Sequence, residues 1–176
     1  MKKIIALAGS TSKKSINKQF AYYVANQLSG ADVLKLDLND FSMPMYSVDL
    51  ENEKGIPKEA INLAKLFRNA DGIILSLAEH NGNFTAAFKN VFDWISREDV
   101  KVFESSPLLL LSSSPGERGG ASVMNIALDR FPRHGATISA YFSLPSFYDN
   151  FKDGSLISDD LSSILNQKID LFMKSL

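Results

Sequence analysis

Three short stretches of this chain are apolar almost from end to end: Ile4–Ala8, Gly72–Leu77 and Pro107–Leu111. Each runs into a polar loop, and each loop runs into a segment with helical spacing. Continuous apolar runs of this length suit strands buried on both faces of a parallel sheet, because alternate side chains must then all find a core. Parallel neighbours need crossover helices, so the alternation constrains the chain to an α/β layer architecture. The spacing predicts strands over residues 2–8, 32–36, 72–77, 107–113 and 136–140. It predicts helices over 16–28, from Pro57 to about Ala70, over 85–96, 120–133 and 159–174. Residues 37–56 read as one long irregular connection, a length that favours a functional role. Five strands alternating with helices imply a doubly wound parallel sheet in a single domain spanning residues 1–176.

Composition removes several classes of activity. There is no cysteine, which excludes disulfides, thiol catalysis and thiolate metal sites. The histidines are two, His80 and His134, and no Gly-x-Ser-x-Gly elbow accompanies them. No metal site is expected. Redox chemistry would need an organic cofactor. The balance of 19 basic against 20 acidic residues and a pI near 6.1 do not suit a nucleic-acid surface. No run is long enough to span a membrane. The Met-Lys-Lys opening precedes an apolar stretch shorter than a secretory signal requires. The expectation is a cytoplasmic protein with neither nucleic acid nor membrane as partner.

In doubly wound sheets ligands bind beyond the carboxyl ends of the strands. The first loop there is Gly9-Ser10-Thr11-Ser12-Lys13-Lys14-Ser15-Ile16-Asn17. It joins a strand to a helix amino end, where free N–H groups and the helix dipole favour an anion. Ser10, Thr11, Ser12, Ser15 and the Asn17 amide add neutral donors. A Gly-x-Gly-x-x-Gly fingerprint and a P-loop are both missing. There is no acidic pair for magnesium. A cradle for a monophosphate ester remains, against the alternative of a polar loop with Ser15 as helix cap. The second loop is Ala78-Glu79-His80-Asn81-Gly82-Asn83, whose Asn-Gly pair favours a turn with positive φ and exposed backbone groups. Such groups can read the edge of a planar heterocycle. The third, Ser112-Ser113-Ser114-Pro115-Gly116-Glu117-Arg118-Gly119-Gly120, lets a backbone approach a ligand closely. Its Arg118 is a candidate for a phosphate or an anionic ring.

Together these loops resemble the NADPH-dependent FMN reductase family of flavodoxin-like proteins. The family pattern after the first strand, Gly-Ser-x-Arg-x-x-Ser-x-Asn, is matched at Gly9, Ser10, Ser15 and Asn17, with Ser12 in the arginine position. The pattern after the third strand, Pro-Glu-Tyr-Asn-Gly-Ser and then Leu-Lys-Asn-x-x-Asp-Trp, is matched at Glu79, Asn81, Gly82, Lys89, Asn90, Asp93 and Trp94. His80 stands for the tyrosine. The resemblance implies the strand order 2-1-3-4-5 and bound FMN. Its phosphate would lie on Ser10, Ser12, Ser15, Ile16 and Asn17. Its ring would lie against Glu79, His80, Asn81 and Gly82 and against Ser113, Ser114, Pro115 and Gly116.

The implied activity is NAD(P)H-dependent FMN oxidoreduction. Hydride would pass from NADPH or NADH to flavin N5, then electrons to a quinone, azo, nitro, metal-oxyanion or free-flavin acceptor. No side chain is named as catalytic acid or base. Two alternatives stay open. A flavodoxin-type electron carrier sits poorly with a net charge of −1. A flavin-free flavodoxin-like regulatory or assembly protein is kept open by Ser12 and His80. The resemblance also implies a homodimer or homotetramer, in which 41–55 would reach a neighbour. Surplus apolar surface on the helix ending at Asp93-Trp94-Ile95-Ser96-Arg97 is expected to supply an interface. The tail from about Ser143 carries Phe147, Tyr148 and Phe151, with its role open between covering the site and packing.

Overall fold

The computed structural model describes residues 1–176. Five strands form one parallel sheet: β1 (Lys2–Ala8), β2 (Ala31–Lys35), β3 (Gly72–Leu77), β6 (Pro107–Ser113) and β7 (Thr137–Leu144). Their order is β2-β1-β3-β6-β7, the flavodoxin-like order expected from the resemblance. Helices α1 (Ile16–Asn26) and α7 (Asp159–Ser175) cover one face. Helices α3 (Lys58–Arg68), α4 (Ala86–Glu98) and α5 (Ala121–Arg130) cover the other.

The two-sided cover explains the apolar runs. Along β1, Ile4 and Ala6 enter the core under α1 and α7, while Ile5 and Leu7 enter the opposite one. Along β6, Leu109 and Leu111 alternate with Leu108 and Leu110 in the same way, and all four have no exposed surface. Burying each such side chain contributes roughly 1.5–3 kcal/mol, so the central strands admit no polar residue without a partner.

Several boundaries differ from those predicted, for identifiable reasons. Helix α1 stops at Asn26, although Leu28 beyond it is still buried. Pro57 is the residue before the first turn of α3 rather than inside it. The segment predicted as a helix over 120–133 ends at Arg130 and passes into a 3-10 turn, Phe131–His134, containing Pro132 and closed by Gly135 at φ 83°. Strand β7 continues four residues past 140, because Tyr141 and Ser143 alternate with buried Phe142 and Leu144.

The connection 37–56 is not wholly irregular. It holds a 3-10 turn (Leu38–Asp40) and a helix, α2 (Val48–Lys54), none of whose residues is buried. It is fastened to α4. The Asn90 side chain accepts from the Tyr46 amide and donates to the Pro44 carbonyl, and Trp94 Nε1 donates to the same carbonyl at 2.8 Å. Arg97 pairs with Glu51 at 3.0 Å. The Asn90 and Trp94 of the family pattern thus anchor this segment.

The expected surplus of apolar surface on α4 is not found. Phe88, Val91, Phe92, Trp94 and Ile95 are all buried within the chain. Phe88 and Phe92 join Phe84, Phe103 and Phe131 in an aromatic cluster with ring spacings of 5.0 to 6.2 Å. The tail mostly packs. Phe147, at the start of the short helix α6 (Phe147–Asn150), is buried with Phe151 and Leu156 of a small hairpin, β8 (Phe151–Lys152) and β9 (Ser155–Leu156).

Candidate functional site

At the carboxyl ends of β1, β3 and β6 the loops leave a cleft of about 220 Å³. Ser10, Ser12, Lys14, Ser15, Ile16 and Asn17 line one part. Ala78, Glu79 and His80 line a second, and Ser113, Ser114, Pro115 and Tyr148 a third. A further hollow of about 450 Å³ shares Ser10, Ser12 and His80 and extends over Thr11, Thr85, Ala86 and Ala87.

The first loop is shaped by its own hydroxyls. Ser15 caps α1 by accepting from the Lys18 amide, and Ser10 Oγ accepts from the Ser12 amide. The Ile16 and Asn17 amides, in the first turn of α1, have no partner within the chain. Free amides at a helix start, beside hydroxyls and the Lys14 ammonium, form an anion site. Lys18 points elsewhere, to Asp37 at 2.6 Å. Burial pushes the Asp37 carboxyl up, but hydrogen bonds from Lys18 and Asn39 more than reverse this and hold it below the usual carboxylate range.

The Asn17 side chain is engaged chiefly by the fold. Its Oδ1 accepts from the Ser113 amide at 2.9 Å and from Ser76 Oγ at 2.8 Å, and its Nδ2 donates to the Ser113 carbonyl at 3.0 Å. Strand β3 last pairs with β6 at Leu77–Ser112. One residue further along β6, the Asn17 amide stands in for the missing peptide group and extends the ladder. What Asn17 retains for a ligand is its backbone amide and the second Nδ2 hydrogen.

Glu79 is the one carboxylate in the lining. Its Oε2 accepts from the Val123 amide at 2.9 Å, supplying the first turn of α5 with a partner that its own N-cap, Gly120, cannot provide. This fixes the start of the hairpin formed by β4 (Glu79–His80) and β5 (Asn83–Phe84) against α5.

Asn81, Gly82 and Gly116, named from the sequence for the ring end, stand outside the cleft lining. Asn81 and Gly82 form the hairpin tip at φ 51° and 74°, the positive-φ turn that Asn-Gly favours. The tip lies toward α5, near Ser122. The Gly116 carbonyl accepts from the Gly119 and Ser146 amides, so that part of the loop is fastened to the tail. Arg118 donates to Ser122 Oγ and is also outside the lining. Sequence reasoning did not place Lys14, Ala78 or Tyr148 among the ligand residues. Lys14 belongs to the first loop but to no matched motif position, and Tyr148 stands in a tail whose fold no periodicity revealed.

The donor set suits a phosphate monoester carrying a planar group. The anion end has hydroxyls, free amides and one ammonium without a carboxylate, and the far end has Ala78, Pro115 and two flat rings, His80 and Tyr148. A family model for NADPH-dependent FMN reductase matches residues 2–149. The chain belongs to this family. It is 31% identical over 122 residues to a quinone reductase of Escherichia coli K12, a match covering 67% of this chain. The chain spans only 63% of that relative's length. It is 26% identical over 183 residues to a 2-hydroxy-1,4-benzoquinone reductase of a Burkholderia species, covering 97% of this chain and 93% of that protein. Among solved structures, the Paracoccus denitrificans flavoenzyme FerB, an NAD(P)H:(acceptor) oxidoreductase, superposes with a TM-score of 0.76 at 20% identity, over 99% of both chains. That likeness is one of fold. The named relatives are oxidoreductases.

Proposed function

We propose that the cleft holds FMN and that the chain is an NAD(P)H-dependent FMN oxidoreductase acting on a small-molecule acceptor. The observation that carries this reading is the acid-free anion end, where the free Ile16 and Asn17 amides meet the Ser10 and Ser12 hydroxyls beside Lys14. The phosphate would be held there, with the Ser15 cap keeping the first turn of α1 in place. Ser113, Ser114 and Pro115 would bound the ring on one side, and Glu79 and His80 on the other.

When bound, the flavin supplies the hydride-accepting centre that no side chain here can supply. The protein's share is to orient the ring and to present backbone donors to its polar edge. Glu79, the one lining carboxylate, holds the Val123 amide through Oε2, and the proposal assigns it no role as a base. Quinones and azo compounds are the favoured acceptors, supported by relatives named for quinone reduction and by an NADPH azoreductase of a Bacillus species at 28% identity over 124 residues. Either NADPH or NADH serves as hydride donor. A homodimer or homotetramer and a cytoplasmic location belong to the same proposal. No helix is long and apolar enough to cross a membrane. Met45 and Val48, exposed on the segment fastened to α4, are apolar side chains available to a second copy.

Titration of the purified protein with FMN, followed by NAD(P)H oxidation with a benzoquinone, tests the assignment. Saturable flavin binding and quinone-dependent turnover are expected. A protein that neither binds FMN nor oxidises NAD(P)H in its presence refutes the assignment.

A further inference from the structure

Tyr148 is the part of the cleft lining that the loop motifs do not account for. It stands on α6, a helix of four residues, too short to hold itself together. The surroundings fix it instead. The Ser146 and Phe147 amides donate to the Gly116 and Ser114 carbonyls, and Asn150 Nδ2 donates to the Pro145 carbonyl. Phe147 is buried and stacks on Phe151 at 4.8 Å. Ser146 sits at φ 42°, ψ 60°, a left-handed conformation that residues other than glycine seldom adopt and that clusters at functional sites. The chain leaves β7 through this strained residue and presents the next side chains in two directions, Phe147 into the core and Tyr148 over the cleft.

The Tyr148 side chain is not used by the fold. The residue is 63% exposed, its hydroxyl has no partner in the chain, and its one aromatic contact is an edge against Phe147 at 5.6 Å. A fixed backbone carrying an uncommitted aromatic ring at a cleft mouth is an arrangement for stacking on a ligand. His80 is the other flat ring in the lining. It follows β3 while Tyr148 follows β7, and β6 lies between those strands in the sheet, so the two rings approach the cleft from different sides.

We propose that Tyr148 is a flavin-contacting residue whose ring stacks on the isoalloxazine, on the side of the cleft away from the His80 hairpin. This rests on the reading of the cleft as an FMN site. Stacking depends on the ring face and not on charge, so its loss is insensitive to salt, whereas loss of a phosphate contact is screened.

The test titrates FMN into flavin-free protein by fluorescence, at low and at high salt, for the parent, Tyr148→Ala, Tyr148→Phe and Lys14→Ala. Tyr148→Ala should weaken FMN binding about tenfold at both salt levels and leave the bound flavin brighter. Tyr148→Phe should stay within about twofold of the parent. Lys14→Ala should weaken binding at low salt only. Circular dichroism checks that the variants are folded, which the exposure of Tyr148 favours. Parent-like binding by Tyr148→Ala overturns the inference, as does a Tyr148→Phe loss equal to that of alanine or a loss that vanishes in salt. Failure of the parent to bind FMN overturns the functional assignment itself.

Discussion

Replacing Asn17 should open the junction between β6 and the first loop. Its side chain makes three hydrogen bonds, accepting from the Ser113 amide and Ser76 Oγ and donating to the Ser113 carbonyl, and all three residues are at most 2% exposed. At about 1 kcal/mol net for each bond, Asn17→Ala should cost about 3 kcal/mol. For a chain of this size that lowers Tm by roughly 6–12 °C. Asn17→Asp keeps the acceptor but sets a buried carboxylate against the Ser113 carbonyl. Burial and that carbonyl raise its folded-state pKa above the unfolded value of about 3.9. Between those two values the unfolded state ionises and the folded state does not. Asn17→Asp should therefore stand nearest the parent below about pH 4 and lose stability as pH rises through that window. Urea titrations followed by the fluorescence of Trp94, the single tryptophan and fully buried, measure both effects against the parent at each pH. An Asn17→Ala variant within about 0.5 kcal/mol of the parent, or an Asn17→Asp deficit that does not change with pH, would falsify the reasoning.

Four further outcomes follow from the same geometry. A Cβ on Gly119, at φ 57°, would come within 2.9 Å of the Leu144 carbonyl group, so Gly119→Ala should cost several kcal/mol, about 3 or more. Gly154 at φ 78° faces open space, and its alanine variant should cost only about 1 kcal/mol by thermal melting. The Asp37–Lys18 pair stabilises above the unfolded carboxylate pKa of about 3.9, and this is lost as pH falls through the lower folded value. Asp37→Asn should flatten that acid limb by less than about 1 kcal/mol, because the pair is partly exposed. Ser12→Arg, which restores the family's charge, should tighten FMN binding about tenfold at low salt, with the gain shrinking in high salt in the same titration.

The sheet could be read from the sequence because its three central strands, β1, β3 and β6, are buried on both faces, leaving runs such as Leu108–Leu111 that tolerate almost no other interpretation. Ends were less legible. Strand β7 alternates buried Phe142 and Leu144 with exposed Tyr141 and half-buried Ser143, so past residue 140 it offers no continuous apolar run. Helix α2 has no buried side chain and hence no periodicity. Its traces were Ser47 as N-cap, the acids Asp49 and Glu51 in the first turn, and Gly55 closing it at φ 74°. At the cleft, Ser10, Ser15 and Glu79 could be named from a motif, but a motif does not say which atoms face inward. Asn17 was legible as important and illegible as a strut, since its partners Ser76 and Ser113 are 59 and 96 residues away.

Helix α2 gives the rim of this protein its own free energy of opening. The segment around it is held by the side chains of Asn90, Trp94 and Arg97 and contributes nothing buried from α2 itself. Detaching α2 would expose no core, so its amides should exchange with solvent through local excursions of a few kcal/mol, about 2–4. Those of β3, with every residue buried, should wait for global unfolding. Change in residues 48–54, whether by insertion, deletion or altered charge, is therefore decoupled from the sheet that carries the cleft.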